Sequence, residues 1–327
     1  NHLMDIYVKK AIIHQFSPDD TDLYLADKFL NITPKIEEYL RKKIERVYSD
    51  EARTGIFEED NPFLEMISDD LIETSVAVAN RWKEEFVVSE NQKTNDLVFI
   101  QFSKEGVDHF AFLRIALRET LTHLGGEVDN PIKLTQNNLP GFGTGADEAL
   151  VINLQSRKYH LIEKRIKYNG TFLNYFSENL LQAQPKISPK KSIKALEKTA
   201  QKIAESFNTD DFQFQSKVKS AIFNHIEEEN KLSPEKLADD LFDDNLTARL
   251  SFIDQVKEAV PEPVTFEEID ASRQLKKFEN QKLSLSNGIE LIVPNNVYED
   301  AESVEFILND NGTYSILIKN IEDIQSK

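Results

Sequence analysis

Apolar positions recur along this chain in two periods, and the places where the period changes divide it into elements. Residues 4–16 read as a mixed strand, ended by the turn cluster Ser17, Pro18, Asp19 and Asp20. The spacing then becomes helical: Ile36, Leu40, Ile44 and Val47 recur up to the Tyr48 region, behind Thr33 as N-cap and Pro34 at the first helical position. Asn61-Pro62 opens a second helix in the same way, with Phe63, Ile67, Leu71, Val78 and Trp82 predicted along one side. A strand-rich block follows, over residues 96–102, 107–117, 121–124, 132–135, 149–154 and 159–167. Glycines and Asp/Asn residues separate these runs, as the short connections of an antiparallel meander require.

Residues 171–181 read as a short aromatic-rich helix, and the Pro185-containing segment up to Ser188-Pro189 reads as a boundary. Beyond it the pattern is helical over residues 189–207, 211–229, 233–242 and 245–260, with Ser233-Pro234 as another cap, until Pro261 and Pro263 break it. The period then switches to two at residues 283–285, 289–293, 304–308 and 314–318, where Asn287-Gly288 and Asn311-Gly312 are hairpin signals. The expected fold class is α+β: an N-terminal domain at 4–184 with a mainly antiparallel sheet and helices, then a part at 185–327. That second part is expected to hold a helical segment at 189–260 and a small β unit at 274–319. There is no internal repeat and no low-complexity tract.

Composition narrows the chemistry. The 327 residues contain no cysteine, which excludes disulfides, zinc ribbons, Fe–S clusters and thiol catalysis and fits a reducing compartment. The longest apolar runs, such as Ala149 to Leu154, fall far short of the roughly 20 residues of a membrane span, so no membrane contact is expected. No signal peptide is visible in the residues from Met4 onward. A formal net charge of −18 argues against DNA, because affinity for DNA rests on neutralising phosphates with Lys and Arg.

The sum hides a reversal. Residues 151–204 hold eleven Lys+Arg against three acids, a net +8 set in a remainder of −26. In the helix from Pro189, Ile193, Leu196, Ala200, Ile203 and Phe207 fall on one side at about 100° per residue, while Lys190, Lys194, Lys198 and Lys202 make an i, i+4 row opposite, with Lys191 beside it. Such a row can meet successive phosphates while the apolar stripe anchors the helix. Equally, it can be a solvated face that pairs with acidic neighbours. The preceding segment carries Arg157, Lys158, Lys164, Arg165 and Lys167 among Tyr159, His160 and Tyr168, a pattern better suited to phosphate contact than to base reading. The acidic runs Glu227-Glu228-Glu229, Asp239-Asp240 and Asp243-Asp244 read as solvated helix surface, or else as a docking face for a basic partner.

Catalytic signatures are weak. Gly141-Phe142-Gly143-Thr144-Gly145 follows no strand, opens no helix and lacks a Gly-Lys-Ser/Thr ending, so it reads as a loop and not as a nucleotide cradle. Asp147 with Glu163-Lys164-Arg165 has a faint likeness to the Asp…Glu-x-Lys pattern of metal-dependent nucleases, but Arg165 stands where a proton-shuttling lysine is needed. The six histidines are scattered, with no His-Glu-x-x-His pair, and there is no Gly-x-Ser-x-Gly elbow. No enzyme activity, metal or cofactor is expected.

Four segments in order, Ile12-Ile13-His14-Gln15, Arg46-Val47-Tyr48-Ser49 with Gly55-Ile56-Phe57, Ala149 to Leu154, and Arg273-Gln274-Leu275-Lys276-Lys277-Phe278, resemble the bacterial nucleoid-associated protein family called NdpA, over about Met4 to Lys319. The resemblance implies a cytoplasmic protein that associates with the nucleoid, with no catalytic residues to carry over. The lysine-rich helix is not part of that resemblance. The expectation is therefore a non-enzymatic, homodimeric nucleoid-associated protein that contacts DNA phosphates with low sequence specificity through the helix lysines and the basic segment. The alternative is an acidic adaptor that reaches the nucleoid by binding a basic DNA-processing enzyme such as a topoisomerase, and a minor alternative is a metal-dependent nuclease.

Overall fold

Strands that are apolar on both faces must be covered twice, and the amino-terminal half of the chain meets that demand. The computed structural model describes residues 5–86, 93–126 and 131–327; Asn1 to Met4, including the first residue of the predicted opening strand, lie outside them. The chain divides into two units, Asn1–Ser188 and Pro189–Lys327. In the first, the elements run β1 (Ile6–Ser17), β2 (Asp22–Tyr24), α1 (Pro34–Glu45), β3 (Arg53–Ile56), α2 (Pro62–Glu65), α3 (Leu71–Phe86), β4 (Asn95–Lys104), β5 (Val107–Ala116), β6 (Arg118–His123), β7 (Ile132–Asn138), β8 (Glu148–Asn153), β9 (Lys158–Ile162), β10 (Ile166–Tyr168) and β11 (Thr171–Leu173), then a π-helical turn, Phe176–Leu180.

Seven strands form one antiparallel sheet in the order β2-β1-β4-β5-β8-β9-β3. Alternation along β4 sends Leu97 and Phe99 to one face and Val98, Ile100 and Phe102 to the other. The first face packs with Phe110, Phe112 and Leu150 against Val78, Trp82 and Phe86 of α3 and against Tyr175 and Phe176. The second packs with Ala111, Leu113 and Val151 against Leu40 and Ile44 of α1 and against Val47 and Tyr48. Burial on both sides explains why β4 and β5 read as nearly unbroken apolar runs although the sheet is antiparallel.

Three local expectations are corrected. The helix opened by Asn61 is two helices: Asn61 Oδ1 accepts from Phe63 and Leu64, α2 ends after one turn, and α3 starts afresh. Between them, Ser68 donates its N–H to Thr74 Oγ1, and Asp70 Oδ1 accepts from Glu73 N–H. Short polar side chains there compete for the backbone and restart the helix. Residues 159–167 are not one strand: β9 ends at Ile162, and β10 pairs with β11 in a separate hairpin. Its two-residue turn is Asn169-Gly170, both with positive φ, as a type I′ turn demands. Residues 171–181 therefore begin as β11, and only Phe176–Leu180 is helical, with Leu181 N–H reaching back five residues to Phe176 O.

The second unit contains α4 (Pro189–Ser206), α5 (Phe212–Glu229), β12 (Lys231–Leu232), α6 (Pro234–Leu241), α7 (Leu246–Val256), β13 (Val264–Thr265), α8 (Ser272–Phe278), β14 (Asn280–Ser284), β15 (Glu290–Pro294), α9 (Asn295–Tyr298), β16 (Val304–Leu308) and β17 (Tyr314–Ile318). Asp211, Ser233 and Asn245 cap α5, α6 and α7 by accepting N–H bonds from Phe214, Lys236 and Ala248. The stripe Ile193, Leu196, Ala200 and Ile203 packs on Val218, Ile222, Leu237, Phe252 and Phe278. Gln281 Nε2 donates to Ser216 O at 3.0 Å and Asn295 Oδ1 at 2.8 Å, a buried link between α5 and the carboxy-terminal β unit. Two helices, α8 and α9, interrupt the part expected to be purely β, and the hairpins at Gly288 and Gly312 carry these glycines at φ +88° and +80°. The α+β reading is borne out: a large antiparallel sheet with helices, followed by helices and small hairpins.

Candidate nucleic-acid interface

The amphipathic pattern of α4 decides where its lysines go. Its apolar stripe is buried, and Lys190, Lys191, Lys194, Lys198 and Lys202 are all exposed on the remaining surface. Three of them, Lys190, Lys194 and Lys198, form one wall of a groove of about 760 Å³. The other walls bring Lys219 from α5 and Arg273 and Lys277 from α8, so six cations line the groove with a single carboxylate, Glu197. Glu197 is paired with Lys277 at 3.1 Å. The groove lining also includes Phe214 and Val218, which belong to the apolar core that α4 and α5 share.

Lys219, Arg273 and Lys277 lie outside the basic helix and strand that the sequence pattern singles out, although Arg273 to Phe278 is one of the segments that carry the family resemblance. A usable signal was present: Arg273 and Lys277 stand at i, i+4, one face of a helix, ahead of the buried Phe278. Their distance from Lys190 in sequence hid the connection.

The basic segment of the first unit does not form one surface. Arg157, at φ +64°, donates Nη1–H to Phe57 O at 2.9 Å and lies 3.7 Å from Glu59, at the entrance to β9. Lys158 is half-buried at the same end. Lys164, Arg165 and Lys167 are exposed beyond the other end of β9, around a separate cleft of about 470 Å³.

That cleft has charged walls and a polar base. Arg114, on β5, is buried and donates Nε–H to Glu148 Oε1 at 2.5 Å and Nη1–H to Asn95 Oδ1 at 3.0 Å. Tyr175 donates its hydroxyl to the same Glu148 oxygen and receives Trp82 Nε1–H at 3.1 Å. Burial pushes the Glu148 carboxyl above the usual range, against the opposing pull of Arg114 and Tyr175. Asp147 is raised by burial, but the Ala116 N–H at 2.7 Å and the Lys164 ammonium at 2.9 Å outweigh that and hold it below the usual carboxylate range.

The other expected motifs resolve into structural roles. Glu163, the carboxylate of the nuclease-like pattern, is held by Arg53 at 2.6 Å and by the N–H and hydroxyl of Ser177. Among the described residues, no group of three or more His, Asp or Glu side chains is placed to hold a metal ion. The glycine loop turns carbonyls, not amides, to its charged neighbours: Lys43 Nζ donates to Gly141 O at 2.7 Å and to Thr144 O, and Arg46 donates to Gly143 O. Burial, with Arg46 and Arg118 nearby, lowers the Lys43 ammonium to about 8. Of the acidic runs, Asp239, Asp240, Asp243 and Glu229 pair with Arg249, His225, Lys217 and Lys236 in their own unit. No described helix is long and apolar enough to cross a membrane.

By sequence family this is a nucleoid-associated protein. The family described as nucleoid-associated protein YejK matches residues 12–324, so the chain belongs to it, and the resemblance to the NdpA type is borne out. No curated protein matches the chain.

Proposed function

We propose that this protein binds DNA directly at the bacterial nucleoid, without catalysis and with little sequence preference, through the basic groove formed by α4, α5 and α8. The observation that carries the reading is the convergence of six cations from three helices on one groove with one carboxylate among them. Cations on a fixed helical face neutralise successive phosphates and release counterions, and such contacts position a duplex without reading its bases. The net charge of −18 then acts as an orienting field: the acidic remainder repels DNA and turns an approaching duplex toward basic surface such as the groove.

The test is a mobility assay with purified protein, titrated with salt. The six groove cations meeting six phosphates predict a slope of log affinity against log salt of about −5.4, from about 0.9 per phosphate. Changing Lys190, Lys191, Lys194, Lys198 and Lys202 to Glu should abolish binding, and unchanged affinity and slope would remove the groove as the DNA site. A purified protein that fails to bind DNA at physiological salt, while retaining a basic DNA-processing enzyme in pull-downs, would instead support the adaptor reading.

A further inference from the structure

The geometry points to a second ligand site in the other unit: the cleft beside the β10–β11 hairpin takes a phosphorylated nucleoside, free or at the end of a DNA strand, with its phosphates on the cleft cations and its base against Phe172. The cleft volume, about 470 Å³, lies within the range of small-molecule sites, roughly 300–1,000 Å³. Five cations line it, Lys93, Arg114, Lys164, Arg165 and Lys167, with Asp147 as the one carboxylate. Lys164 is paired with Asp147 and Arg114 with Glu148 behind it, and with both carboxylates counted the cleft still carries more cations than anions.

Two features separate this cleft from a scatter of surface lysines. First, Arg114 lines it while buried, its guanidinium fixed from behind by Glu148 and Asn95 and stacked 5.2 Å from the Phe86 ring centroid. A cation held in place by neighbouring hydrogen bonds loses little freedom when an anion arrives. Second, the tight Asn169-Gly170 turn sets Lys167 directly opposite Phe172, on the same face of the hairpin. Phe172 lines the cleft and is 62% exposed, an open aromatic ring next to a phosphate-binding charge. Phosphate cations beside an available aromatic face are the two parts that nucleotide recognition needs, since every base presents a π-face. The site shares no residue with the groove of the second unit, so either can fail alone.

Calorimetric titration of the full-length protein tests it, with ATP, pyrophosphate and a short 5′-phosphorylated single-stranded oligonucleotide as probes. The oligonucleotide is measured in a variant whose groove lysines 190, 194 and 198 are changed to Glu, which removes the other site from the reading. ATP is expected to bind saturably at one site, at least tenfold more weakly in Arg165→Glu/Lys167→Glu, and unchanged in the groove variant. Phe172→Ala should weaken ATP severalfold and leave pyrophosphate unaffected. Tighter binding of the phosphorylated oligonucleotide than of ATP, lost when its 5′-phosphate is removed, identifies a strand end as the ligand, and the reverse order identifies a free nucleotide. Absence of saturable binding by all three probes at low salt overturns the site. So does binding indifferent to the Arg165/Lys167 reversal in a variant with wild-type circular dichroism.

Discussion

Arg114 and Glu148 are directly opposed residues on neighbouring strands β5 and β8, with Nε 2.5 Å from Oε1 and both side chains buried. A buried pair of this kind is costly to break, because removing one partner strands the other charge away from water, at about 3–5 kcal/mol. Glu148→Ala and Arg114→Ala should each lower stability by that order in urea denaturation. The double variant should lose clearly less than the two together, since neither leaves a lone charge. Additive losses would show that the two side chains do not act as a pair.

His14 Nδ1 accepts the Ala26 N–H at 3.0 Å, and its Nε2 lies 2.8 Å from Ser75 Oγ, so the neutral ring with the proton on Nε2 satisfies both contacts. Burial holds its pKa below the ordinary 6.5. Between the folded value and 6.5 the unfolded chain takes up a proton that the folded one refuses. The contribution of His14 is therefore complete above about pH 6.5 and is lost as the pH falls. The decline in urea midpoint from pH 7.5 to 5.5 should be smaller in His14→Asn than in the wild type; equal declines would count against it.

Lys43 titrates in the opposite region. Its folded value of about 8 lies below the ordinary 10.5, so from pH 8 to 10.5 the folded state sheds a proton that the unfolded state keeps. Stability should rise with pH through that window relative to Lys43→Met. Comparing midpoints at pH 7.5 and 9.5 measures this, and a constant difference between the two proteins would contradict it.

The groove makes a prediction for residues outside the lysine helix. Lys219→Glu and Arg273→Glu should each weaken DNA binding and flatten the salt slope by about 0.9. Lys217→Glu, on the same helix as Lys219 but paired with Asp243 and absent from the groove walls, should leave the slope unchanged. Equal effects at Lys217 and Lys219 would point to general charge and not to the groove.

Gly55 on β3 is paired with Tyr159 on β9, and a methyl group at position 55 would collide with the Tyr159 ring and hydroxyl. Tyr159 is buried and packs against Phe57, with ring centroids 4.3 Å apart. Gly55→Ala should cost about 1–3 kcal/mol by overpacking, read as a lowered denaturation midpoint. A midpoint equal to the wild type would show that the strand pair can separate at no cost.

Much of this molecule is visible in local sequence. Thr33, Asn61, Asp211, Ser233 and Asn245 each precede a helix and cap it, because a short polar side chain satisfies N–H groups that the first turn leaves open. The exposed row of α4 lysines follows in the same way from the 3.6-residue period. Where local signals compete, the pattern of apolar positions alone does not mark the boundary. Ser68 to Asp70 broke an apparently continuous helix, and the Asn169-Gly170 turn divided what read as one strand followed by a helix.

The sequence by itself determined the antiparallel, mixed architecture, the family, and the polarity of charge along the chain, since periodicity, caps and net charge depend on neighbours a few residues apart. Only the tertiary structure decided that the great sheet is covered on both faces, that Lys190, Lys219 and Arg273 share one groove, and that Arg114 meets Lys167 and Phe172 in another cleft. These groupings join residues many tens of positions apart, and what brings them together is the burial of apolar faces, which is nondirectional and carries no mark of its partner in either segment.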